Sequence, residues 1–170
     1  MTDNISEKKE RTNPFFLPYN TPHDTVPFDR ITLADYEEAM MEGIRREDEQ
    51  IEKIIHNPDE PTFENTIIPE DEVKGRKHYY DLLNRVESVF FNMLSAETND
   101  EMDALAQKMS PILTRHANDV SLNPKLFERI KYVYEHHREL TPEENRLLEN
   151  SYDGFVRSGA LLDEAGKNRL

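Results

Sequence analysis

Six histidines and 35 carboxylates are the groups in this 170-residue chain that could bind a metal or move a proton, and there is no cysteine. The missing cysteine removes disulfides, thiolate metal sites and thiol nucleophiles. The histidines are His23, His56, His78, His116, His136 and His137. None is followed by glutamate, so the H-E-x-x-H arrangement, two imidazoles one turn apart on a helix with a general base between them, is absent. The inverted form fails too. His136 has Glu139 three residues on, but Leu140 stands where the closing histidine belongs. Neighbouring side chains on a helix point about 100° apart, so the rings of His136 and His137 diverge. The pair reads as a solvated helix end, where the helix dipole favours a protonated histidine.

Close carboxylates occur at Glu37-Glu38, Glu47-Asp48-Glu49, Glu70-Asp71-Glu72 and Glu143-Glu144. With so many acids such groups arise by chance, and most are expected on the polar faces of helices rather than as acid/base dyads. No Asp/Asn ladder with glycine matches a calcium loop, and there is neither a glycine-rich phosphate loop nor a nucleophile elbow. Phe90-Phe91 could line a peptide groove, because consecutive residues cannot both face one core. A helix buried on two sides explains them more simply. No catalytic or metal-binding residue is therefore assigned, and the substrate-binding residues stay unknown.

The elements that carry these groups read as helices. Five glycines are too few for a turn-rich β fold, and no stretch alternates with a period of two. Residues 1–12 are polar and expected to be disordered. Residues 13–28 hold four prolines among Phe15, Phe16, Tyr19 and Phe28. This segment is expected to lie extended against a helical body. From Thr32, which can cap with Asp35 three residues on, an apolar stripe runs through Leu33, Tyr36, Met40, Ile44, Ile51 and Ile55 to the stop at Asn57-Pro58. Thr62 caps a short turn over residues 63–66. Ile67-Ile68-Pro69 reads as a break.

A second long helix is expected from about Lys77 to Ser95. A third opens with a Thr98–Glu101 capping box and is kinked at Pro111. Asn123-Pro124 opens a fourth, with Leu126, Phe127, Ile130, Val133 and Tyr134 inward. Thr141-Pro142-Glu143-Glu144 starts a fifth, which ends near Gly159. Residues 163–170 begin another helix. The expected fold is all-α, with antiparallel helices joined by short loops.

Lys and Arg number 21 against 35 Asp and Glu, a net charge of −14. Such a field repels phosphate backbones and anionic membrane surfaces, so no nucleic acid and no membrane is expected as a partner. The first residues lack the apolar run of a signal peptide. A cytoplasmic location is expected, with a periplasmic chain that has lost its leader as the alternative.

Six blocks, in order, resemble the thimet oligopeptidase-like zinc metallopeptidases, in their peptidyl-dipeptidase (dipeptidyl carboxypeptidase) branch. They are Asn13-Pro14-Phe15-Phe16 with Phe28-Asp29-Arg30-Ile31; the run from Asn57-Pro58 through Pro61-Thr62-Phe63-Glu64-Asn65-Thr66-Ile67; Val89 to Asn99; Ala117-Asn118-Asp119-Val120; Leu122 to Ile130; and Phe155 to Ala160. Residues 68–78 depart from the family pattern, which usually continues there as a helix.

The resemblance implies the helical N-terminal region of a two-lobed enzyme, with residues 13–170 as a channel-wall domain cut short at its C-terminal end. It implies short peptides as substrates and release of their C-terminal dipeptides. The zinc and its ligands would belong to a C-terminal catalytic lobe outside this segment, so the chain alone is expected to be inactive. The alternative is a non-enzymatic helical module that binds peptides or serves as a scaffold.

Overall fold

The computed structural model describes residues 11–73 and 82–162. Among them are six α-helices and no strand: α1 (Leu33–Ile55), α2 (Ile68–Asp71), α3 (Leu82–Ala96), α4 (Asp100–Ser121), α5 (Pro124–His136) and α6 (Pro142–Arg157). Residues 1–10, the expected helix start at 77–81 and the expected helix at 163–170 lie outside the described residues. No helix among the described residues is long and apolar enough to cross a membrane.

Helix α1 is the spine, and its two halves serve two cores. Tyr36, Ala39 and Met40 pack with Phe15, with Leu82, Val86 and Phe90 of α3, and with Met102, Leu105 and Met109 of α4. Ile51 and Ile54 pack with Phe63 and Ile67, with Leu126 and Ile130 of α5, and with Leu148 and Phe155 of α6. The division coincides with the seven-residue step from Ile44 to Ile51 in the apolar stripe, where Arg45 to Gln50 are polar. On the outer side of that stretch Glu42 bonds Arg45 at 2.7 Å and Arg46 at 2.8 Å. These bonds hold its carboxyl down at about 2. As exposed pairs they add little stability.

The N-terminal segment is strapped to α1 through polar anchors. The Asn13 amide donates to the Asp35 carbonyl and the Glu38 carboxylate, each at 2.9 Å. Its oxygen accepts from the Phe15 backbone at 3.0 Å, closing a 3₁₀ turn over Pro14–Phe16. Arg11, expected in the polar tail, instead grips both oxygens of buried Asp35 at 2.8 and 2.7 Å. The same carboxylate accepts from the Thr32 backbone and hydroxyl at 2.6 and 2.7 Å. Burial would raise Asp35, but the bonds from Arg11 and Thr32 outweigh it and hold the carboxyl below its ordinary value. Phe15 is fully buried, whereas Phe28, expected against the body, is 53% exposed.

Two other expectations change. Asn99 rather than Thr98 caps α4, its side chain accepting from the Met102 backbone at 2.9 Å. Pro111 lies inside α4, as expected. Pro69 does not break the chain: Phe63–Ile67 is a π-helical turn, and Ile67, Ile68 and Glu72 all keep right-handed helical angles. The proline falls in the first turn of α2, where its missing N–H costs little.

The remaining ends follow the sequence. Thr141 and Glu144 form a reciprocal capping box on α6. Gly159, at φ 96°, closes α6 with bonds from Gly159 to Val156 and from Ala160 to Phe155, each 3.0 Å.

Candidate functional site

The seam between the two cores opens as a cleft of about 440 Å³. Helices α1, α3, α4 and α6 each give it a wall. Val73, Leu83, Leu113, Val120 and Phe155 supply its apolar surface. Glu47, Glu87 and His116 line its polar end. Ligand sites are commonly concave, largely apolar and furnished with a few polar groups in this way.

His116 is the centre of the polar end and is only 8% exposed. Its Nε2 lies 2.8 Å from Glu47 Oε2 and its Nδ1 lies 3.3 Å from Asp48 Oδ1. A carboxylate near each ring nitrogen favours the singly charged imidazolium, in which both nitrogens carry hydrogen. The bond to Glu47 raises His116 above its ordinary value, against the opposing effect of burial. Burial raises Glu47, its bond to His116 opposing. Burial and the nearby Glu47 raise Glu87.

A histidine with a raised folded value stabilises the fold fully below its unfolded value, and that contribution is lost as pH rises through the folded one. The thermal midpoint is therefore expected to fall as pH climbs from about 6.5 into the alkaline range. A Glu47→Gln/His116→Gln double variant should lack that fall. An equal fall in both proteins, followed by circular dichroism, would contradict the assignment.

The other groups considered from the sequence fall elsewhere. His136 and His137 are exposed at the end of α5, and their Nδ1 atoms donate to different carbonyls, Tyr132 at 2.9 Å and Tyr134 at 3.0 Å. Glu37 bonds Lys108 at 2.6 Å, Glu38 holds Asn13, and Glu144 caps α6. Phe90 is fully buried against Tyr36, and Phe91 packs at the margin of the same core. Two acids depart from the expected polar faces. Glu47 lines the cleft, and Glu70 is 1% exposed and accepts from the Ser151 hydroxyl at 2.9 Å.

Among the described residues no three His, Asp or Glu side chains gather to hold a metal ion. At His116 the two carboxylates face opposite ring nitrogens and cannot converge on one ion. The zinc implied by the family resemblance thus has no fitting ligand set in these residues.

No local motif marks His116, but its position in the helix does. His116 is three residues after Leu113 and four before Val120, and Glu47 is three after Ile44 and four before Ile51. Each charged residue stands in the register of a buried stripe, one opposite the other.

The family blocks themselves do structural work in this fold. Arg129 of α5 donates to the Asn57 carbonyl at 2.9 Å and to the Asp59 carbonyl and Asn65 side chain at 3.3 Å. It ties the turn before Phe63 to α5, while Phe63, Thr66 and Ile67 are buried beneath.

No family model matches the chain. It is 38% identical over 161 residues to a dipeptidyl carboxypeptidase of Salmonella typhimurium, covering 94% of this chain. It is also 38% identical over 164 residues to the dipeptidyl carboxypeptidase of Escherichia coli, covering 93% of this chain. The chain spans 23% of the length of each of these relatives. With the match running through nearly all of its helices, the chain belongs to the peptidyl-dipeptidase family as a segment of the length its relatives share with it.

Proposed function

We propose that the chain is the helical N-terminal region of a zinc-dependent peptidyl-dipeptidase, which removes C-terminal dipeptides from short peptides. The observation that carries this reading is the 38% identity across 94% of the chain to a protein named for that activity. The order of the sequence blocks and the all-α fold support it. In this reading the helices form one wall of a peptide channel, and a catalytic lobe outside these residues packs against them and supplies the zinc. Bound zinc would activate water for attack on the peptide bond. No residue of this chain receives a catalytic or metal-binding role. A cytoplasmic setting, with short peptides and the catalytic lobe as partners, completes the proposal.

The expected result with the purified 170-residue chain is no dipeptide release from short peptides with free C-termini, with or without added zinc. Zinc-dependent release that a chelator abolishes would contradict the assignment of chemistry to another segment.

A further inference from the structure

We infer that the cleft between the two cores is a binding site for a small apolar amine, its ammonium group held by Glu87. The inference rests on the shape and charge of the cleft and is independent of the peptidase reading.

Three observations carry it. The cleft, at about 440 Å³, is of the size that takes a small organic molecule, and its walls are largely aliphatic and aromatic. Its charges do not balance. His116 already lies between Glu47 and Asp48, whereas Glu87, half-buried on α3, has no hydrogen bond or ion pair among the described residues. No lysine or arginine is among the lining residues. Finally, the floor is open at Gly154 of α6, where an added Cβ would meet nothing within 4 Å. Glycine in the middle of a helix costs roughly 0.5–1 kcal/mol relative to alanine. Here that cost leaves room in the cleft.

A carboxylate in such a place is favoured by a cation, and the apolar walls favour a hydrocarbon body. An anion would meet Glu87 and Glu47 in the lining against the single charge of His116, which Asp48 and Asp119 already offset. A neutral molecule would leave Glu87 unpaired. The ammonium of an apolar amine satisfies both demands. Its binding favours ionised Glu87, and loss of the His116 proton makes the cleft more negative still. Affinity should therefore rise with pH from about 5 to about 8, while the amine remains protonated.

The test is calorimetric titration of the 170-residue chain with phenethylamine, the neutral isostere phenethyl alcohol, and hydrocinnamate. Phenethylamine is expected to bind at least about tenfold more tightly than the alcohol, and hydrocinnamate not measurably. Glu87→Gln should reduce amine affinity to that of the alcohol. Gly154→Leu, which places a side chain in open space and removes a helix glycine, should keep the fold and abolish binding of both. Equal binding of amine and alcohol, or no effect of Glu87→Gln, would overturn the ammonium site. Amine binding that survives Gly154→Leu in a folded variant would overturn its location, and no binding of phenethylamine would overturn the proposal as a whole.

Discussion

Gly43→Ala is expected to lower the unfolding free energy by about 2 kcal/mol, read as a reduced midpoint in urea. An added Cβ on Gly43 would lie 2.8 Å from both Cα and Cβ of Leu83 and 2.9 Å from its backbone nitrogen. Those atoms belong to α3 itself rather than to the far end of a flexible side chain, so the helices must part. Two effects compete. Alanine is better than glycine in a helix by about 1 kcal/mol, while overpacking a tight contact costs about 1–3 kcal/mol and occasionally more. Backbone contact on the partner side puts this site at the upper end, and the clash wins. Gly154→Ala provides the control. Nothing stands near its new methyl, so the propensity gain should appear alone as about 0.5–1 kcal/mol of added stability. Equal stability of Gly43→Ala and the parent chain would show that α1 and α3 are not in backbone contact.

Phe15→Ala is expected to cost about 3–5 kcal/mol, the range for truncating a buried aromatic ring. The ring is fully buried between Tyr19 and Tyr36, at centroid distances of 6.4 and 5.4 Å. Its carbonyl accepts from Arg85 of α3, so the same residue ties the N-terminal segment to two helices. Phe28→Ala, at a 53% exposed ring of the same segment, should change stability by no more than about 0.5 kcal/mol. Both are measured by urea denaturation. Similar losses for the two would contradict the description of Phe15 as the anchor and Phe28 as a surface ring.

The helices were legible because their ends carry strong local chemistry. Thr141 with Glu144, Asn123 before Pro124, and Gly159 after α6 each announce a boundary within a few residues. The aromatic segment at 13–28 was legible in kind but not in detail, since composition cannot tell which of Phe15 and Phe28 meets the body. Pro69 misled because a proline looks the same in a helix interior and in a first turn. Only the preceding π-helical turn decides which it is.

The cleft was harder to read. Its charged pair joins Glu47 to His116 across 69 residues, and no local pattern reports such a contact. What the sequence did hold was a charged residue in the register of each of two apolar stripes. Glu70 shows the same limit. In sequence it stands in an acidic run, and in the fold it is sealed under α6 by Ser151.

In the proposed function these 170 residues form a working segment of a peptidyl-dipeptidase. The most direct test of this replaces the matched segment of the Escherichia coli dipeptidyl carboxypeptidase with this chain and assays release of dipeptides from short peptides. The expected result is a folded chimera that releases C-terminal dipeptides and stops when zinc is removed. A chimera that folds and retains its metal, yet releases no dipeptide, would contradict it.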